Sequence, residues 1–169
     1  DDNQFSPNAS TTRGMLMTVL ARYAGTDTTG GATWYEKAMT WAKSNGVADG
    51  TMPEKNITRE QLAVMLYRYA RHEGYDTAQG GMAVREFADY DQIAGYALEA
   101  VAWAVENGVT TGTGDGKFSP DAPCTRGQAV TFLWRALGQL TGDTASFADV
   151  PADSYFAQAV AWAAQSGVT

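Results

Sequence analysis

The chain has 169 residues, 44% of them hydrophobic and 18% charged, which is enough apolar material for a sizeable core and unlike a disordered segment. Its 12 Lys+Arg against 19 Asp+Glu leave a charge of −7, which argues against general affinity for nucleic acid, since phosphate backbones are held by a cationic face. One Cys and one His exclude a Cys/His zinc site and an intramolecular disulfide, and no apolar run reaches the length of a membrane span.

The opening residues Asp1-Asp2-Asn3-Gln4-Phe5 carry no basic n-region or apolar h-region, so a secretory signal is either already removed or was never there. A loop, Asn3-Gln4-Phe5-Ser6-Pro7-Asn8, leads to Thr12-Arg13-Gly14, where a helix is predicted to run through Met15, Leu16, Val19, Leu20 and Tyr23. Thr12 has no capping-box acceptor by this reading, because Met15 occupies the position three residues on. After a polar connector at 25–33, the amphipathic stretch Trp34 to Val47 puts an aromatic, Ala38 and Trp41 at i, i+4 and i+7, on one helical face, and Gly46 stops it. The next loop, Gly50-Thr51-Met52-Pro53-Glu54-Lys55-Asn56-Ile57, lacks Phe-Ser-Pro and precedes Thr58-Arg59-Glu60-Gln61, a capping box that starts a helix carrying Leu62, Val64, Met65, Leu66 and Tyr69.

A connector at 74–86 then reaches Phe87-Ala88-Asp89, and Tyr96 to Val109 repeats the amphipathic stretch with Ala100, Trp103 and the stop Gly108. The Gly-rich loop from Thr111 to Asp121 leads to Thr125-Arg126-Gly127-Gln128 and a helix through Val130, Phe132, Leu133, Trp134 and Leu137. A final connector, 138–146, joins Phe147-Ala148-Asp149-Val150-Pro151 to a third amphipathic stretch, Tyr155 to Val168, with Ala159, Trp162 and Gly167 in register.

Two segments therefore recur three times each, and the chain reads as half a unit, two whole units and another half. Three helices of each kind predict an all-α fold, and they suffice for one closed pseudo-threefold assembly in which Thr169 and Asp2 lie close together; a piece cut from a longer array is the alternative. The expected organisation is a single domain, 1–169, with units at 33–73, at 87–138, and a split unit of 1–25 joined with 147–169.

Each Thr-Arg stands at a predicted helix start, where unpaired N–H groups and a partial positive charge suit an anion. Arg13, Arg59 and Arg126 add a bidentate fork for a carboxylate or phosphate, and Gly14 and Gly127 would let a ligand approach the backbone. The competing reading is that each Arg pairs with an acid such as Asp89 or Asp149 and pins one unit to the next. Trp41, Trp103 and Trp162 pose a similar choice between sugar-stacking platform and core, and their register with the alanines favours core. Cys124 reads as a packed thiol and His72 as a solvated imidazole. The loop around Asp115 and Asp121 lacks the ligand alternation of a calcium loop, and no carboxylate pair has a setting for glycosidase chemistry, so no metal, cofactor or catalytic residue is expected.

The run Phe147-Ala148-Asp149-Val150-Pro151 through Ala161-Trp162-Ala163 and Gly167-Val168, with Gly112 to Pro120 and Cys124-Thr125-Arg126-Gly127-Gln128-Ala129, resembles S-layer homology domains over essentially the whole chain. The resemblance implies a central three-helix spindle with three prongs. It implies a secreted, non-enzymatic module at the bacterial cell surface that docks on an acidic secondary cell-wall polymer, often ending in pyruvylated N-acetylmannosamine, in grooves between prongs. On this resemblance Arg13, Arg59 and Arg126, with Thr12, Thr58, Thr125, Gly14 and Gly127 at the same helix starts, are the expected glycan-binding residues. The family's acidic fourth residue in Thr-Arg-Ala-Glu is Met15, Gln61 or Gln128 here. The partners expected are the wall polymer and other surface-layer proteins, with neither nucleic acid nor membrane insertion. The alternative function is a surface-layer or filament assembly module working by protein contacts without glycan.

Overall fold

The computed structural model describes residues 3–78, 81–137 and 147–167. Six α-helices form: α1 (Arg13–Tyr23), α2 (Glu36–Ser44), α3 (Arg59–His72), α4 (Leu98–Glu106), α5 (Arg126–Leu137) and α6 (Ala157–Gln165), with short 3₁₀ turns at Ala83–Glu86 and Tyr90–Gln92. Among the described residues no strand forms, and no helix is long and apolar enough to cross a membrane. The connector 138–146 and the expected meeting of Asp2 with Thr169 lie outside the described residues.

The longer helices α1, α3 and α5 supply the centre of the core through Leu16, Met17 and Leu20, through Leu62, Leu66 and Tyr69, and through Phe132 and Leu133. Each fully buried Leu contributes about 1.5–3 kcal/mol by leaving water. Tyr23 ties the far ends together: its ring meets Tyr69 at 6.2 Å and Trp162 at 5.7 Å, and its hydroxyl donates to the Leu137 carbonyl. The shorter helices pack outside, α2 on α1, α4 on α3 and α6 on α5. Their buried faces are alanine-rich, with Ala38, Ala42, Ala100, Ala104, Ala159 and Ala163, which lets the helix axes come close.

The outer helices end alike. Gly46, Gly108 and Gly167 share φ of +68°, the left-handed conformation that glycine adopts without steric cost, and the next N–H, of Val47 or Val109, closes back onto Ala42 or Ala104. They start later than the periodicity predicts. Trp34, Tyr96 and Tyr155 lie before the first helical residue, so only the alanines and Trp103 and Trp162 fill the inward face, with Trp41 half-buried against it.

The residues before α1, α3 and α5 bind one another in a cycle. Thr11 N–H donates to the Cys124 carbonyl, Cys124 N–H to Ile57, and Ile57 N–H to Thr11, with lengths between 2.9 and 3.0 Å. Antiparallel bridges join Ser10 to Thr125, Thr12 to Asn56 and Thr58 to Pro123. The middle loop, which has no Phe-Ser-Pro, nonetheless takes the same path as the other two: Met52, Ser6 and Ser119 have φ of 49°, 58° and 57°, each followed by proline. Backbone geometry is preserved there although the side chains differ.

Candidate functional site

Each of the three Thr-Arg motifs starts its helix as expected, with the threonine hydroxyl accepting the N–H of Met15, Gln61 or Gln128 at 3.2–3.3 Å. Gln61 and Gln128 return the bond to the threonine N–H. At α1 the Met15 sulfur fills that role, 3.4 Å from the Thr12 nitrogen, so the cap Thr12 was expected to lack is present in weaker form, because a thioether is a poor acceptor.

The first two N–H groups of each helix are also spent. Arg13 and Gly14 donate to the carbonyls of Lys55 and Pro53, Arg59 and Glu60 to Ala122 and Pro120, and Arg126 and Gly127 to Ala9 and Pro7. This overturns the expectation that helix-start N–H groups share an anion with the arginines. The glycines are corrected for the same reason. A Cβ on Gly14 would lie 2.9 Å from the Pro53 oxygen, and one on Gly127 would lie 3.1 Å from the Phe156 ring, so the close approach they permit is by the chain itself.

The arginine side chains begin alike and then diverge. Each Nε donates to a carbonyl before the positive-φ residue: Arg13 to Thr51, Arg59 to Phe118 and Arg126 to Phe5, at 3.2, 2.8 and 2.9 Å. Arg59 is 2% exposed, its guanidinium 5.2 Å from the ring centres of both Phe118 and Phe132 and donating to the Thr110 hydroxyl. Burial pulls its pKa down. Arg59, expected to meet a glycan like the other two, instead belongs to the core. Phe132 decides this, since the equivalent residues Val19 on α1 and Met65 on α3 reach less far and line pockets.

Arg13 keeps its side chain 11% exposed and pairs with Asp49 at 2.9 Å. Asp49 also accepts from the Thr51 N–H and hydroxyl; burial raises its pKa, and these bonds together with Arg13 outweigh that and lower it. Arg126 stacks 4.7 Å from the Phe5 ring and has no ion-pair partner among the described residues. Burial lowers its pKa, opposed by nearby Asp149. Asp89 and Asp149 do not pair with the arginines as the competing reading expected. Asp89 accepts the N–H groups of Phe118 and Ser119, and Asp149 those of Phe5 and Ser6, so both acids shape the loops that carry the arginine-binding carbonyls.

Two open grooves result. The first, about 270 Å³, lies between Arg126 and the α1 face of Met15, Thr18, Val19 and Arg22, with Trp34 at its edge. The second, about 290 Å³, lies between Arg13 and the α3 face of Gln61, Val64, Met65 and Arg68, with Tyr96, Asp49 and Lys55 on its rim. The first lining holds two cations and no acid; the second holds three cations and one acid. On a chain of charge −7, these are cationic clefts in an acidic surround.

Trp34, 53% exposed, and Tyr96, 60% exposed, are aromatic platforms that sequence reasoning did not single out. Their position at the head of each recurring amphipathic stretch was the available signal. Of the tryptophans it did weigh, Trp103 and Trp162 are buried and Trp41 is half-buried. Cys124 is fully buried, and burial pushes its thiol pKa up to about 12, while His72 sits exposed beside Asn45 and Glu73.

Residues 86–130, which span the first Phe-Ala-Asp segment, α4 and the start of α5, match the S-layer homology domain. Related sequences include the "Surface-layer 125 kDa protein" of Lysinibacillus sphaericus, 35% identical over 47% of this chain and 7% of that protein. An endoglucanase of a Bacillus species is 29% identical over 78% of this chain and 16% of its own length. The cellulosome-anchoring protein of Acetivibrio thermocellus is 32% identical over 63% of this chain and 24% of its own. The chain thus spans less than a quarter of each of these relatives' lengths. An undecahaem cytochrome from the S-layer of Carboxydothermus ferrireducens contains a similar fold, with a TM-score of 0.51 at 20% identity over 79% of this chain and 18% of that one.

Proposed function

We propose that this chain is a non-catalytic anchoring module that holds a protein at the bacterial cell surface, outside the cell, by binding an acidic secondary cell-wall polysaccharide in two grooves. Pyruvylated chain ends fit the chemistry required, a carboxylate carried on a sugar. The observation that carries this reading is the pair of open clefts in which an arginine faces an exposed aromatic ring across a cationic lining, Arg126 with Trp34 and Arg13 with Tyr96. The Arg126 guanidinium is held through Nε and offers its remaining N–H groups to a carboxylate, the Arg13 fork is shared between Asp49 and the groove, and the rings offer a face to the sugar. Two grooves on one rigid module give avidity on a polymer, since the second contact is intramolecular. The cyclic bonding before α1, α3 and α5 supports reading 1–169 as one pseudo-threefold domain with units at 33–73, at 87–138 and at 1–25 with 147–169.

The experiment is co-sedimentation with purified cell-wall sacculi before and after the acidic polymer is extracted. Wild type should sediment only with unextracted sacculi, and Arg13→Ala with Arg126→Ala should remain soluble while keeping the wild-type circular dichroism. A second reading, assembly with other surface-layer proteins through protein contacts, draws on the burial of Arg59 and the pairing of Arg13 with Asp49. It predicts sedimentation that neither the extraction nor the double variant changes.

A further inference from the structure

A second arginine follows the first by nine residues in all three central helices: Arg22 after Arg13, Arg68 after Arg59 and Arg135 after Arg126. In α1 it completes the stripe Met15, Thr18, Val19, Arg22, and in α3 the stripe Gln61, Val64, Met65, Arg68. These are i, i+3, i+4, i+7 spacings, so each stripe is one helix face about 10 Å long. Both faces are groove walls, so each open groove has one arginine from a neighbouring helix start, Arg126 or Arg13, and another from the far end of the wall, Arg22 or Arg68. Arg22 and Arg68 are exposed and have no ion-pair partner among the described residues. The Arg22 Nε donates to the Thr28 hydroxyl at 3.0 Å, which orients the fork without neutralising it.

Building on the anchoring reading, we propose that Arg22 and Arg68 are second anion contacts, so that each open groove takes a stretch of polysaccharide with acidic groups on two sugars rather than one charged terminal sugar. A stripe of about 10 Å matches two pyranose rings laid end to end, and the apolar middle positions, Val19 in one groove and Val64 and Met65 in the other, suit the less polar ring faces between the charges. The third helix face is interrupted by Phe132, which covers Arg59, so Arg135 has no first arginine to work with.

The test is calorimetric titration with acidic wall polymer extracted from sacculi, hydrolysed and sorted into fragments with one acidic sugar and with two or three. Arg22→Gln combined with Arg68→Gln should weaken the longer fragments about ten-fold and flatten their salt dependence, leave the single-charge fragments unchanged, and keep the melting temperature. Lysine at both positions should recover most of the loss, and Arg135→Gln should bind as wild type. The proposal is overturned if both fragment classes weaken equally, or if neither weakens while Arg13→Ala with Arg126→Ala still abolishes binding. If that last pair also binds as wild type, the anchoring reading itself fails.

Discussion

A guanidinium taken out of water costs several kcal/mol unless its donors and faces are satisfied, and Arg59 satisfies them with a carbonyl, a hydroxyl and two aromatic rings. Removing it leaves those acceptors unpaired and a cavity between Phe118 and Phe132, so Arg59→Ala should cost about 2–4 kcal/mol in urea unfolding. Arg13→Ala, whose side chain is 11% exposed and whose partner Asp49 stands largely in water, should cost less than Arg59→Ala in the same assay. Identical Thr-Arg motifs gave no sign of this difference, because the deciding residue, Phe132, stands six positions along α5 from Arg126 and acts on the arginine of another helix. Cys124 presents a related case. With its thiol buried and its pKa pushed up to about 12, it should react negligibly with Ellman's reagent in the native state and promptly in denaturant.

The helix starts show how one element depends on another's backbone. At α1 the N–H of Gly14 donates to the Pro53 carbonyl, and Gly14→Ala would put a Cβ 2.9 Å from that same oxygen. Backbone must shift to relieve it, so a loss of about 1–3 kcal/mol is expected by thermal or urea unfolding. The loop holding the Phe5 carbonyl is fixed from the other end of the chain by Asp149. Hydrogen bonds from the Phe5 and Ser6 N–H groups lower that carboxyl's pKa, aided by Arg126. A lowered folded pKa contributes stability that is present above the unfolded value, near pH 4, and disappears as pH falls through the folded one. The melting temperature should therefore drop as pH falls below about 4, and Asp149→Asn should remove part of that dependence and lower the melting temperature at neutral pH.

At the scale of the whole molecule, the cycle from Thr11 to Cys124 to Ile57 makes each helix start depend on the other two. Unfolding should accordingly be one cooperative transition, with tryptophan fluorescence and far-ultraviolet circular dichroism superimposing across a urea titration; separate transitions would mean units that fold alone. The six helices, the capping boxes of α3 and α5, and the glycine stops of the outer helices were legible in the sequence, because they follow from local spacing repeated along the chain. So was the presence of an arginine at each central helix start, and the resemblance to the family followed from the same repeats. Which arginines face solvent, which aromatics stand at the groove edges, and what becomes of the helix-start N–H groups were decided by tertiary structure alone. Each depends on a partner from a neighbouring unit: Phe132 over Arg59, Gly14 beneath Trp34, the Pro53 carbonyl at α1. Repetition along the chain specifies what each unit contains, but the accessibility of a side chain is fixed by what the next unit packs against it.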